Sequence, residues 1–326
     1  MSALPTSQDV IEVSHRLEEH VVRTPVLRND ALDALAGAQL FLKCENLQHT
    51  GSFKIRGATN RLLQIAPERR AAGVVAFSSG NHAQGVARAA RLLDMPALIV
   101  MPADAPAIKV DGVRRDGAEV RLYDRETESR EDIAAEEAQK RGATLVPSFD
   151  DPYIVAGQGS CGVEFAHQVR ELDTGLDHLI CCTGGGGLIN GIALAFEALS
   201  PDTAIWTAEP TGHDDWRQSL QAGDIKVNAP GTRSICDAIL TPAPGLVTWA
   251  LGKRLLKGGC AVEDDRIEET MRLAFRHLKL VLEPGGAAAL ACALYDLPME
   301  ARGKRVGIIL SGGNVDPDQF ARIISA

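Results

Sequence analysis

One lysine in this chain is set where an amine could act as a nucleophile. It lies in Thr50-Gly51-Ser52-Phe53-Lys54-Ile55-Arg56-Gly57-Ala58, among small and apolar residues, on a glycine-flanked turn that leads into a helix. A lone lysine in such a place is most often a solvated surface residue. Held in a dry pocket, the same amine gives up its proton more readily and can form a Schiff base with a carbonyl. The choice between the two depends on what other segments bring to it.

Three other segments carry small polar residues between a strand and a helix or at a strand's end. Thr183-Gly184-Gly185-Gly186-Gly187 follows a buried strand and opens an apolar helix. Four amides without side chains at a helix N-terminus make a cradle for an anion. The register does not fit GxGxxG, and no GxxxxGK[ST] occurs, so a phosphate on a small cofactor is expected rather than a dinucleotide or a nucleoside triphosphate. Ser78-Ser79-Gly80-Asn81-His82 also precedes a helix. Its serines and asparagine serve equally as helix caps, and with the free N–H groups they can hold a carboxylate. Ser311-Gly312-Gly313-Asn314 sets one hydroxyl at the end of a strand.

The elements that must position these segments read as alternating strands and helices. A first helix is expected over Ser7–His20, a strand over Gln39–Lys43 and a helix from Gly57 to Ile65. From Gly73 the alternation is regular, with strands at Val74–Phe77, Ala97–Met101, Glu119–Tyr123 and Thr144–Val146 separated by helices. A second such run follows: helix Ile154–Val169, strand His178–Cys182, helix Leu188–Leu199, strand Ala204–Ala208, helices Asp264–Leu280 and Gly285–Tyr295, strand Val306–Leu310. This pattern argues for α/β architecture with parallel sheets covered on both faces. In open sheets of that kind, ligands sit at the carboxyl ends of the strands. Residues 73–150 are expected to form a small mobile domain, and 1–72 with 151–326 a large one.

The 326 residues carry a net charge of −9 and no basic patch interleaved with aromatics, so nucleic acid is not an expected partner. No apolar run is long enough to span a bilayer, and Met1–Val13 has no signal-peptide pattern. The seven cysteines are scattered without CxxC spacing, which points to reduced thiols in the cytoplasm.

Taken together, these segments resemble the fold-type II pyridoxal-phosphate enzymes, in the threonine/serine dehydratase and serine racemase group. The resemblance runs from Arg23 to Asp316. It rests on the lysine motif, Ser78–His82, Ala156-Gly157-Gln158-Gly159, Gly184-Gly185-Gly186-Gly187-Leu188, Glu283-Pro284 and Ser311-Gly312-Gly313-Asn314-Val315 in that order. It implies two open twisted sheets like those of the tryptophan synthase β chain, and a homodimer. Pyridoxal 5′-phosphate would be bonded by Lys54, flanked by Phe53, and held by Asn81, Gly184–Gly187, Leu188, Glu283 and Ser311. Ser78, Ser79, Gly80, Asn81 and His82 would receive the substrate. The implied reaction is β-elimination of a β-hydroxy-α-amino acid such as L-threonine, L-serine or 3-hydroxyaspartate, giving a 2-oxo acid and ammonia. The alternative is a serine or aspartate racemase with Lys54 and Ser79 as opposite-face bases.

Other positions matched to the family bear on specificity. Phe149 resembles the aromatic residue of threonine dehydratases. Arg130 matches an arginine that approaches the substrate in racemase-like relatives, and can equally be a solvated helix arginine. Glu209-Pro210-Thr211-Gly212-His213-Asp214-Asp215 resembles the family's divalent-cation loop, with Glu209 and Asp215 giving carboxylates to Mg²⁺ or Ca²⁺ and His213 its backbone carbonyl. Cys236-Asp237-Ala238-Ile239 departs from the usual Ala-Asp-Gly, and the extra methyl of Ala238 bears on the substrate's far end.

Overall fold

Short strands, most of them apolar and buried, build two sheets in this computed structural model, which describes residues 4–78, 80–105 and 107–326. The strands are β1 (Val26–Leu27), β2 (Gln39–Cys44), β3 (Val74–Phe77), β4 (Ala97–Pro102), β5 (Glu119–Tyr123), β6 (Thr144–Leu145), β7 (His178–Cys182), β8 (Ala204–Pro210), β9 (Gly258–Val262) and β10 (Arg305–Leu310). One sheet runs β1-β2-β10-β7-β8-β9 and the other β5-β4-β3-β6. Every pairing is parallel except that of β1 with β2.

Alternation along the strands sorts the core into layers. In the larger sheet Leu40, Leu42, Ile180, Ile308 and Leu310 pack against helices Asp264–Leu278 and Pro284–Tyr295. Their neighbours Phe41, Leu179, Cys181 and Ile309 face Phe165, Ile192 and Phe196 of helices Pro152–Glu171 and Gly187–Leu199 on the other side. Those two helices cross with almost no gap, since a Cβ added to Gly159 would lie 2.6 Å from the Gly191 carbonyl oxygen. In the smaller sheet Val74, Ala76, Ile99 and Met101 meet Ala83, Val86 and Ala87, while Val75, Leu98 and Val100 meet Ala134 and Ala138.

The lysine segment differs from its expected form. The helix begins at Lys54 and runs to Leu63, so Lys54 is its first residue and not part of the preceding turn. The reason is that the turn is tied down before it. Phe53 N donates to the Ser311 carbonyl at 3.2 Å, Gly313 N to the Gly51 carbonyl at 2.9 Å, and Asn314 Nδ2 to the Thr50 carbonyl at 2.7 Å. Thr50 and Gly51 take left-handed backbone with φ of 62° and 72°, which leaves the chain free to turn helical at once. The sequence reading also omits helices Asp30–Ala36, Asp215–Ala222, Leu246–Leu255 and Pro317–Ser325 and strands β1 and β9. Gly258-Gly259-Cys260-Ala261-Val262 has poor strand propensity, and its pairing with β8 is what holds it extended.

Beneath the lysine helix sits a buried ionic cluster. Arg56, with no exposed surface, donates to both oxygens of Glu45 at 2.7 and 2.8 Å and to both oxygens of Glu164 at 2.7 and 3.0 Å. Lys43 Nζ donates to Glu164 at 2.7 Å, to Gln168 at 2.8 Å and to the Thr24 carbonyl at 2.9 Å. Two cations face two carboxylates, and the fork of Arg56 matches each carboxylate in its own plane. Burial works against the charge on Glu45, but Arg56 outweighs it and holds that carboxyl below its ordinary pKa. Removing one member of such a cluster leaves an uncompensated buried charge. Arg56→Met is therefore expected to lower unfolding free energy by about 3–5 kcal/mol, read by denaturant unfolding of the cofactor-free protein. A depressed carboxyl pKa contributes stability above the unfolded value and loses it below. The contribution from Glu45 should hence fade in the native chain as pH drops below 4.5.

Candidate active site

The carboxyl ends of β3, β7 and β10 and the N-terminus of the Lys54–Leu63 helix open on one cavity. Phe53, Lys54, Ser78, Gly80, Asn81, His82, Arg130, Gly184 to Gly187, Leu188, Glu283 and Ser311 all line it. Residues far apart in the chain thus meet as the sequence reading expects. Ser79 lies outside the described residues.

Lys54 is half-buried, and its Nζ donates to the Ser148 carbonyl at 3.2 Å. Loss of water round the amine brings its pKa down to about 8, against small opposing effects from Cys182 and Glu283. An amine with that pKa is unprotonated in roughly a tenth of molecules at pH 7. The Phe53 ring lies beside it, 5.2 Å from Nζ to centroid. Burial, and then the nearby Lys54 charge, take His82 down to about 3, so its ring is neutral. His82 Nε2 donates to the Val146 carbonyl at 3.1 Å, with the ring tautomer set by that partner. Glu283 is pushed up to about 7 by burial, against the pull of the Asn81 hydrogen bond at 2.5 Å. Asn314 Nδ2 reaches the Asn81 Oδ1 at 2.8 Å, so three of the loops are joined by side chains.

The glycine segment has the form of an anion cradle. The helix begins at Gly187, with Gly186 as its N-cap at φ 91°. A Cβ on Gly186 would overlap the Trp216 ring, and one on Gly185 would overlap the Phe149 ring. Trp216 Nε1 also donates to the Gly184 carbonyl at 2.8 Å, which keeps the loop in one conformation. Gly184 to Gly187, which open this helix, line the same cavity as Lys54.

These features are a fit test for a phosphorylated aldehyde. An amine of lowered pKa, a cradle of backbone amides and a buried Ser311 hydroxyl are present on one cavity. His82 Nδ1 and Glu283 Oε2 are buried there without a partner among the described residues, so the cavity wall holds polar capacity for a ligand. The residues fit the group.

The acidic turn stands apart from this cavity. Glu209 is fully buried, and its carboxylate accepts from Trp216 N and Arg217 N at 2.9 Å each and from Thr207 Oγ1 at 3.1 Å. Asp215 Oδ1 accepts from Asn228 at 2.7 Å, while Asp215 Oδ2 and both His213 ring nitrogens have no partner among the described residues. Among those residues no three His, Cys, Asp or Glu side chains gather as a metal-ligand group, so Glu209, His213 and Asp215 do not form a three-side-chain centre. Most of Glu209's lone pairs are spent on the N-terminus of the Asp215–Ala222 helix.

Two cations of the cavity bear on a substrate: Lys109, which the sequence reading did not single out, and Arg130, which it expected to approach the substrate. Lys109, on helix Ala107–Arg115, is 7% exposed and donates to Asp237 Oδ2 at 2.7 Å. Nothing marks Lys109 in the sequence, since Ile108-Lys109-Val110-Asp111 reads as an ordinary amphipathic helix. Arg130 lines the cavity but is bound to Glu131 at 2.8 Å and lies over the Phe77 ring at 5.3 Å.

A family model described as pyridoxal-phosphate dependent enzyme matches residues 17–312. The L-threo-3-hydroxyaspartate ammonia-lyase of Pseudomonas sp is 47% identical over 322 residues, 98% of this chain and 99% of that one. The serine racemase of Schizosaccharomyces pombe is 38% identical over 322 residues, 99% of this chain and 98% of that one. Among solved structures, maize serine racemase superposes with a TM-score of 0.91 at 38% identity, covering 99% of this chain and 98% of that one. The cavity chemistry and these similarities agree, and the chain belongs to the pyridoxal-phosphate dependent enzymes.

Proposed function

We propose that this protein is an ammonia-lyase that eliminates water from a β-hydroxy-α-amino acid, with L-threonine, L-serine and 3-hydroxyaspartate as the candidate substrates. The products are a 2-oxo acid and ammonia. The observation that carries the reading is the convergence of Lys54, the Gly184–Gly187 amides and Ser311 on one cavity. Likeness to the Pseudomonas ammonia-lyase supports elimination, and a substrate with a second carboxylate in particular. Likeness to the fission-yeast serine racemase supports the second reading, in which Lys54 and Ser79 act on opposite faces of the substrate.

Pyridoxal phosphate, when bound, supplies an aldehyde for the substrate amine and a sink for electrons released at Cα. Lys54 would hold it covalently, Phe53 would flank it, and Gly184–Gly187 with Leu188 would hold its phosphate. Asn81 and Glu283 would meet its ring edge, and Ser311 its ring nitrogen. A neutral hydroxyl does not enforce a protonated ring, so departure of the β-hydroxyl is favoured over long-lived charge at Cα. Ser78, Gly80 and the free amides that open the Asn81–Leu92 helix hold the substrate carboxylate. Released when the substrate amine takes its place, Lys54 Nζ would take the Cα proton, and its lowered pKa keeps part of it neutral. His82 is neutral and holds its ring against the Val146 carbonyl, which keeps a second positive charge away from Lys54. The β-hydroxyl leaves as water, and the released enamine hydrolyses in solvent.

The proposal extends to the setting. Residues 73–150 act as a small mobile domain against 1–72 and 151–326, and the protein works as a cytoplasmic homodimer. Seven buried, unpaired cysteines support a reducing compartment. A divalent cation at Glu209 and Asp215, completed by the His213 carbonyl, is supported by a buried pair of carboxyls with an unpartnered Asp215 oxygen. Burial raises Asp215 to about 7 against the pull of Asn228, so its charged form is scarce at low pH.

Lys54→Ala is expected to abolish both the visible absorbance of bound cofactor and product formation; a fully active variant would remove the assignment. Ser79→Ala separates the two readings. Any conversion of L-serine to D-serine should fall by roughly 10²–10⁴-fold relative to 2-oxo acid formation, because only racemisation needs a second, opposite-face proton donor. Equal losses in both would give Ser79 a role in elimination as well, and mainly D-serine from the native enzyme would replace the elimination reading with the isomerase. Added Mg²⁺ should raise the melting temperature more at pH 8 than at pH 6, because a cation must compete with protons for Asp215. A melting temperature blind to Mg²⁺ and to chelator at both pH values removes the cation.

A further inference from the structure

The cavity holds a charge pair that the elimination chemistry does not use. Lys109 and Asp237 both line it, 2.7 Å apart from Nζ to Oδ2, and they arrive from different parts of the fold. Lys109 belongs to the helix that connects β4 to β5 in the smaller sheet. Asp237 opens the short turn Asp237–Ile239, in the connection between β8 and β9 of the larger sheet.

The two partners are unequal in their surroundings. The Lys109 side chain is 9% exposed and that of Asp237 is 55% exposed. A buried ammonium needs a carboxylate, whereas an exposed carboxylate keeps its charge in water with or without the ammonium. Lys109 therefore depends on the pair more than Asp237 does. Its Nζ also lies over the segment that would receive the substrate, since a Cβ added to Gly80 would come within 3.7 Å of it. Arg130, the cavity's cation besides Lys54 and Lys109, is 45% exposed, held by Glu131 and placed over the Phe77 ring. It is more hydrated and more occupied than Lys109.

We infer that Lys109 is the receptor for a second, distal carboxylate on the substrate, and that Asp237 is the counterion this carboxylate displaces. The inference rests on the elimination reading and names the substrate class within it: a four-carbon hydroxy-amino dicarboxylate. One carboxylate replaces another at Lys109, so the buried charge stays balanced, and Asp237 turns out to solvent at the rim. L-Serine and L-threonine bring no such group. They leave the Lys109–Asp237 pair intact and gain nothing from it. Selectivity then follows from an exchange that only a dicarboxylate can make.

The test compares native holoenzyme with Lys109→Gln, Lys109→Arg and Asp237→Asn, using L-threo-3-hydroxyaspartate and L-serine in one 2-oxo acid assay. In Lys109→Gln the ratio of kcat/KM values, hydroxyaspartate over serine, should fall on the order of 30-fold or more, with the loss mainly in KM. Lys109→Arg should restore most of that ratio. Asp237→Asn should raise it by removing the competing carboxylate. Succinate and butyrate, which cannot react, give a second readout by calorimetry: the preference for succinate should shrink at least tenfold in Lys109→Gln. An unchanged ratio overturns the inference. Equal losses on both substrates overturn it too, because they assign Lys109 to the shared α-carboxylate or to the fold. A native enzyme that makes no 2-oxo acid from any hydroxy-amino acid fails the elimination reading instead, and the succinate comparison still decides on Lys109.

Discussion

The neutral cluster of Arg56, Lys43, Glu45 and Glu164 is the constraint on which the site depends. Arg56 stands two residues after Lys54 and has no exposed surface, so the helix that carries the reactive amine cannot shift without unpairing buried charges. Through Glu45 it is fixed to the end of β2, and through Glu164 to the Pro152–Glu171 helix. Buried ion pairs are a poor source of net stability, but their demand for geometry is high. Here that demand falls on the first turn of the helix, where the position of one nitrogen decides the chemistry.

The opposite side of Lys54 is fixed by uncharged links, most of them to backbone carbonyls. Backbone hydrogen bonds join Thr50–Phe53 to Ser311–Gly313, and Asn314 connects both to Asn81. The strand β10 lies between β2 and β7, so its carboxyl end brings Ser311 into the middle of the larger sheet's ligand-binding edge. Gly186 and its neighbours continue that edge at the end of β7. The reactive groups thus stand on rigid elements, which suits a reaction that needs bond alignment at Cα.

Electrostatics within the cavity are arranged to hold little net charge beside Lys54. His82 is kept neutral by burial and by the Lys54 charge, and Glu283 is moved toward neutrality by burial. The pair Lys109–Asp237 is charged but self-compensating and sits where solvent reaches one member. Fixed charge at the rim and near-neutral groups in the interior separate recognition from chemistry.

The alternation of strand and helix, the layers of the parallel sheets and the chemical character of four loops were legible in the sequence, because each is written in local spacing. Leu40, Phe41 and Leu42 alternate faces, and four consecutive glycines allow only a backbone site. The expected residues of the pocket met in one cavity because each motif sits at a strand's carboxyl end or a helix's first turn. Other features had no local signature. β9 is a strand through its partner β8, not through its own glycines. The lysine helix starts at Lys54 because a segment more than 250 residues away pins the turn before it. Lys109 and Asp237 are 128 residues apart, and nothing local to Lys109 or to the Cys236–Ile239 segment pairs the two. Tertiary folding decided that they meet, since a buried ammonium draws the nearest carboxylate whatever its distance along the chain.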